Sequence, residues 1–317
     1  MNKTPIEWAD YSSNPIRAEN PATGHRGHYC EKVSPGCHRC YASTQNGAGH
    51  YPMSSTGVAY PAYPPGTKLP VPEARGRLEH YLNTNELRKW LNPNLKGKTI
   101  FPCDMTDLFG AWVSDEWLDI IFAYMALSSA TFLVLTKRIE RMREYVCRFG
   151  RKGCVEAAAA DVVWQPWGFS WPLPNVWLGV SVENQHWTSR LHVLKTIPAA
   201  VTFASLEPLL GPIIIPPEAM PGWVIAGGES AGPPKRALVE RCTDAKFAPC
   251  PEWCAGGCAG TGWRPKPEAL AWVRSLRAQC VAAGVPFFWK QWGGLRPKSG
   301  GRLLDGRTWD QFPEVRA

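Results

Sequence analysis

From residue 99 onward the chain alternates short apolar runs with stretches of helical pattern, and no other feature limits its fold as tightly. Residues 99–105 read as a strand. Ser114-Asp-Glu-Trp is a capped helix start, continued by the apolar residues through 126. Residues 131–136 form a second apolar run, followed by a basic helix over 139–147. Further strands are expected at 176–182, 200–205, 223–226 and 285–290, with helices at about 186–197 and 265–283. Strands joined by helices imply a parallel sheet, open or barrelled. Polar residues follow each run in turn: Asp104 and Asp107, Lys137 and Arg138, Glu183 and Asn184, Glu207, Glu229 and Ser230, Lys290 and Gln291. In a βα barrel such positions share one rim, where those folds place their active site.

Outside the alternation the pattern is weaker. A short apolar piece around Ile6-Glu7-Trp8 is expected to be a first strand. Residues 42–75, rich in Gly, Pro, Ser and Tyr, read as a long loop. Residues 77–91 look helical, and 150–172, with Cys154 and three tryptophans, look like an insertion. With 44% hydrophobic and 20% charged residues, 317 residues make a packed α/β protein rather than a disordered chain. No apolar run approaches the ~20 residues of a membrane span. The opening Met-Asn-Lys-Thr-Pro-Ile-Glu has no apolar core of a secretory leader. Eleven cysteines then point to metal ligation in a reducing compartment, and a cytoplasmic location is expected. The net charge of +8 permits a polyanionic partner without demanding one. Sixteen tryptophans can stack on bases, although most are expected in the core.

Two groups of cysteines carry the chemistry. The first is Cys30-Glu-Lys-Val-Ser-Pro-Gly-Cys37-His-Arg-Cys40-Tyr41, three thiols in a loop broken by Pro and Gly. Iron–sulfur clusters are held by thiolates, normally four, so three would leave one iron of a 4Fe–4S cluster open. The other reading is a zinc knuckle, with Cys37 and Cys40 as a half-site, Cys30 third, and His25 or His28 fourth. The second group, Cys242, Cys250, Cys254 and Cys258, lies in a Pro- and Gly-rich segment and suggests a small metal-stapled loop. It would hold zinc or an auxiliary cluster, with Cys147 and Cys154 as further candidate ligands. Cys280 falls inside a helical pattern and is expected in the core.

The succession of motifs resembles the phage Gp37/Gp68 family, the three-Cys-motif (DUF5131-like) family of unknown function, which is itself similar to radical S-adenosylmethionine (SAM) proteins. The matching pieces are the Cys30–Tyr41 loop, Cys-Asp-Met-Thr-Asp-Leu-Phe at 103–109 and Phe-Leu-Val-Leu-Thr-Lys-Arg at 132–138. They continue with Trp-Leu-Gly-Val-Ser-Val-Glu-Asn at 177–184, Ser-Leu-Glu-Pro-Leu at 205–209, Gly-Gly-Glu-Ser at 227–230 and Lys-Gln-Trp-Gly at 290–293. The cysteine spacing is three residues wider than the commonest radical SAM pattern and is like that of the three-Cys family.

This resemblance implies a partial (β/α)6 radical-SAM-type barrel over 1–240, a Cys-rich insertion over 241–264, and a final helix, strand and tail over 265–317. It implies a 4Fe–4S cluster on Cys30, Cys37 and Cys40 whose open iron binds SAM, the reduced cluster cleaving SAM to a 5′-deoxyadenosyl radical. An external electron donor is implied with it. Asp104 and Asp107 become candidates for the SAM ammonium, and Glu183 or Asn184 for its ribose hydroxyls. Glu207 and Glu229 complete the cofactor-facing strand ends, and Gly227 and Gly228 would let backbone approach a ligand. A phage origin implies DNA base modification, thymine hypermodification in particular, and isomerisation of an aminoacyl-thymine is one such reaction. Lys137, Arg138, Lys235, Arg236 and the Trp-rich loops suit a DNA or modified-nucleotide substrate. The alternatives are a radical SAM enzyme on a peptide, lipid or other small molecule, and a zinc-containing nucleic-acid-binding protein without catalysis. Acidic and amide residues at the strand ends suit small-molecule binding better than the zinc module.

Overall fold

The computed structural model describes residues 1–21, 25–42, 78–166, 168–229, 237–242, 261–294 and 298–314. The chain forms two compact units, Met1–Gly179 with Thr196–Ala200, and Val180–Lys195 with Val201–Ala317. Each has a mixed α/β construction in which the principal strands run mostly parallel. Among the described residues, no helix is long and apolar enough to cross a membrane.

In chain order the first unit contains β1 (Asn2–Lys3), β2 (Tyr11–Ser13), β3 (Ile16–Asn20), β4 (His25–Gly27), β5 (Glu79–Leu82) and α1 (Thr84–Arg88). It continues with β6 (Thr99–Pro102), α2 (Asp115–Leu127), β7 (Thr131–Thr136), α3 (Ile139–Val146) and α4 (Arg151–Val163). β2, β6 and β7 are parallel neighbours, β1 is an antiparallel edge, and β4-β3-β5 is a separate antiparallel sheet. The helix expected from Ser114 is α2, and the Ser114 side chain accepts from Trp117 N at 3.3 Å.

Three expectations change here. Ile6–Trp8 is a turn closed by Ala9 N donating to Ile6 O, with Trp8 buried against Phe101; the strand comes after it, at β2. Residues 77–91 are not one helix. β5 pairs with β3 from Glu79 to Leu82, and only at Asn83, whose side chain caps Glu86 N, does α1 begin. Residues 150–172 include a helix, α4, packed on α2. Arg151 at its start is 3% exposed and is held by Asp115, Asp119 and the face of Tyr145. Its apolar side is built from Val155 and Ala159, a period too faint to read beside Gly153 and Cys154.

The second unit holds the end of β8 (Val176–Ser181), α5 (Ser189–Lys195), β9 (Val201–Leu206), β10 (Trp223–Ala226), β11 (Val239–Arg241), β12 (Trp263–Pro265), α6 (Pro267–Ala282) and β13 (Phe287–Trp289). β9, β10 and β13 are parallel with β10 in the middle, and β11 and β12 form an antiparallel ribbon. Every residue of β10 and β13 is buried, as continuous apolar strands covered on both faces must be. The buried Trp223 indole N–H donates to Gln311 O at 2.9 Å. Cys280 is fully buried on α6, as its place in the helical pattern suggested.

One buried network joins β2 to α1. Glu86, 4% exposed, accepts from Ser13 Oγ (2.9 Å), Lys89 Nζ (2.6 Å) and the amino terminus, and Ser13 Oγ accepts from Trp90 Nε1 (2.8 Å). Burial alone would raise the Glu86 pKa, but the bonds from Lys89, the amino terminus and Ser13 outweigh it and bring it down to about 2. A depressed folded-state pKa stabilises above the ordinary value of 4.5, and that contribution fades as pH falls towards 2. Glu86→Gln should therefore lower the unfolding free energy at pH 7 by on the order of 2–3 kcal/mol. Denaturant titrations of both proteins should show the gap closing between pH 4.5 and pH 2.

Candidate functional site

The three-cysteine loop belongs to the first unit. A 3-10 turn over Pro35–Arg39 brings Cys37 and Cys40 onto one short arc, with Cys37 N donating to Ser34 O (3.0 Å) and Cys40 N to Cys37 O (3.3 Å). Cys37 is buried; Cys30 and Cys40 are partly exposed. Burial pushes the Cys30 thiol up, the charge of Asp107 adds to this, Arg138 opposes it, and Cys40 and Cys37 raise it further. The other two thiols of the loop thus act electrostatically on Cys30.

Two polar anchors hold the loop to the ends of β6 and β7. Asp107 is 7% exposed and accepts four hydrogen bonds: from Thr136 Oγ1 (2.6 Å), Phe109 N (3.0 Å), Lys137 N (3.1 Å) and Arg138 (3.0 Å). These occupy all the acceptor directions a carboxylate offers. Arg138 then donates to Glu31 O at 3.1 Å and lies over the Trp112 ring at 4.9 Å. The second anchor is Tyr41, directly after Cys40, whose hydroxyl donates to Asp104 O (2.8 Å) and Asp104 Oδ2 (3.2 Å). Asn14 Nδ2 holds Asp104 Oδ1 at 2.5 Å, and Asn14 Oδ1 accepts from Met105 N. Burial raises the Asp104 pKa, against the bonds from Asn14 and Tyr41. The turn that presents Asp104 starts at Cys103, a buried non-glycine residue at φ 62, a conformation costing about 1 kcal/mol. Its N–H donates to Ser13 O at 2.7 Å, which secures that turn to β2.

Three thiols from one loop, Cys37 buried and Cys30 under the charge of Arg138, are the donor chemistry of an iron–sulfur or zinc site. Among the described residues, however, no three His, Cys, Asp or Glu side chains converge tightly enough to hold a metal ion. The loop gathers the thiols without closing them on one point. The zinc reading with His28 as fourth ligand meets a specific obstacle. His28 is 1% exposed and Arg17 donates to its Nε2 at 2.8 Å, so that nitrogen is already engaged. The side chain of His25 lies outside the described residues.

The remaining expected site residues lie in the second unit. Glu183 is fully buried; Arg190 donates to it at 3.3 Å and to Ser181 O at 2.7 Å while stacking on Trp187. The Asn184 side chain caps the following turn by accepting from His186 N at 3.1 Å. Glu207 pairs with Lys290 at 3.2 Å, and both remain partly exposed. The glycines at 227 and 228 have identifiable neighbours. A Cβ on Gly227 would fall 2.6 Å from Glu207 Oε1, and one on Gly228 would collide with Trp292 O. The space a side chain would need at these two positions is taken by Glu207 and by the Trp292 backbone. Glu229 is buried three residues beyond the end of β10. Cys242 is buried just past β11; Cys250, Cys254, Cys258, Ser230, Lys235, Arg236, Trp167 and the 43–77 stretch lie outside the described residues. Cys147 and Cys154 are exposed in the first unit. Tyr41, Asn14 and Arg17 enter these clusters without having been marked as site residues, and Lys290 had been marked only as a strand-end residue; for Tyr41 the motif around Cys40 was the available signal.

These features define a mixed α/β protein with mostly parallel strands and a three-cysteine loop secured to two strand ends. Over residues 3–250 and 238–313 the chain matches the family described as Protein of unknown function (DUF5131), and it belongs to that family. No curated protein and no solved structure matches it.

Asp107→Asn should remove the charge that compensates Arg138 and lower the unfolding free energy by about 3 kcal/mol. Arg138→Ala should speed amide hydrogen exchange across 30–41 more than across α2, as mass spectrometry would show. Equal exchange in the two segments would mean that the arginine does not hold the loop.

Proposed function

We propose that this protein is a radical SAM enzyme with a partial (β/α)6 barrel, carrying a 4Fe–4S cluster on Cys30, Cys37 and Cys40 and acting on a nucleotide or DNA substrate. The observation that supports this most directly is the loop itself. One loop carries three thiols, two of which act electrostatically on Cys30, and Tyr41–Asp104 and Arg138–Glu31 tie that loop to consecutive parallel strand ends. When bound, a reduced cluster with SAM on its open iron supplies a 5′-deoxyadenosyl radical, drawing its electron from an external donor.

The residues of the chain divide the remaining work. Asp107 and Arg138 hold the loop in place, since the carboxylate has all its acceptor directions filled. Asp104 is the better partner for the SAM ammonium. Burial disfavours its charge, and a cation beside it would restore that charge. Glu183, fully buried, orders Arg190 and Trp187 rather than meeting ligand itself. In the second cysteine group, Cys242 N donates to Gly262 O at 3.0 Å, so the ribbon already joins the two ends of the segment between them. A metal on Cys242, Cys250, Cys254 and Cys258, either zinc or a second cluster, would staple that segment. The reaction assigned is hydrogen abstraction from an unreactive carbon, with rearrangement of an aminoacyl-thymine the first to test.

Anaerobically reconstituted protein should be brown, hold about four irons at this site, and convert SAM to 5′-deoxyadenosine on reduction. Combined Cys30→Ala, Cys37→Ala and Cys40→Ala should abolish both that cluster and the cleavage. Stoichiometric zinc without iron would overturn the radical SAM assignment. A deuterium label on the amino-acid α-carbon of an aminoacyl-thymine in DNA should appear in 5′-deoxyadenosine; its failure to transfer would remove that substrate only.

A further inference from the structure

In the second unit Leu206, Ala226 and Trp289 stand abreast on three parallel strands. One residue further on come Glu207, Gly227 and Lys290. The two outer side chains meet across the glycine, Lys290 Nζ at 3.2 Å from Glu207 Oε1, while Ser205 Oγ donates to Glu207 Oε2 at 3.3 Å. Gly227 has no left-handed φ to explain it. Its role is spatial, since a Cβ there would displace the Glu207 carboxylate. Three strand ends therefore cooperate to hold one ion pair whose members are 20% and 14% exposed. The pair is mostly buried but keeps part of each side chain open to solvent. It lies at the carboxyl ends of parallel strands, where α/β sheets bind ligands.

We propose that Glu207 and Lys290 form a recognition element for the hydrogen-bonding edge of a nucleobase, the substrate class taken from the function proposed above. A carboxylate beside an ammonium is an acceptor beside a donor. Its complement is a planar group with an N–H next to a carbonyl, as on the N3–C4 edge of thymine. The pair is neutral, so a bare anion gains no more from Lys290 than it loses to Glu207. A nucleobase edge satisfies both members at once.

Isothermal titration of the full chain with thymidine 5′-monophosphate tests this without relying on turnover. Binding should weaken about tenfold or more when N3 of the base is methylated, the loss expected for one two-point edge contact. Glu207→Gln and Lys290→Met should weaken the unmodified nucleotide by about as much. Gly227→Ala should do the same while retaining both charges, because it pushes Glu207 off Lys290. The double variant Glu207→Lys with Lys290→Glu keeps a neutral pair and should keep the melting temperature but lose binding of the thymine edge, which separates recognition from folding. Equal affinity for the N3-methyl nucleotide, or full competition by inorganic phosphate, would overturn the proposal. So would absence of nucleotide binding in protein that holds iron and cleaves SAM, and that result would leave the enzyme class standing.

Discussion

The buried carboxylate of Asp107 is the contact on which the cysteine loop depends. It accepts from the hydroxyl and two backbone or side-chain groups at the end of β7, and from Phe109 N in its own turn. An ionised carboxylate in a buried setting survives only if its acceptor directions are filled, and these are. Through it Arg138 is fixed, and Arg138 in turn holds the Glu31 carbonyl and covers Trp112. The aromatic cluster of Tyr29, His80 and Trp112 packs around the same loop, Tyr29 edge-on to both other rings. The order of this region thus descends from one charge pair through one guanidinium.

The second unit uses close approach instead. Gly227 and Gly228 allow the Glu207 carboxylate and the Trp292 backbone into positions that any side chain would block. Gly293, at φ 75, lies against Glu229 and Gly228 in return. Dense backbone contact of this kind makes strand ends rigid, and a rigid strand end is what can present a charged pair at a fixed spacing.

Much of the architecture was legible in advance. The apolar runs at 131–136 and 223–226 coincide with β7 and β10, and the cap residue Ser114 marks the start of α2. Such runs are local signals, since a continuous apolar stretch has few alternatives to a buried strand. The errors lie where the signal was not local. β5 takes its strand conformation from pairing with β3 about sixty residues earlier, against a pattern that reads as helix. α4 hides its buried face in small residues, and its anchor is an arginine whose partners stand on α2.

For the candidate site, the sequence by itself determined which chemistry is present: three thiols on one loop, a second group of four, and a polar residue after each strand. Residue type and spacing suffice for that, because donor identity is a property of the side chain. Only the tertiary structure decided which of those polar residues have their hydrogen bonds filled from within, as Asp107 does, which cap a turn, as Asn184 does, and which are buried outright, as Glu183 is. It also decided that Lys290 meets Glu207 and that Gly227 makes room for them. The physical reason is that partners such as Glu207 and Lys290 stand more than eighty residues apart in the chain, and only the register of parallel strands brings them abreast.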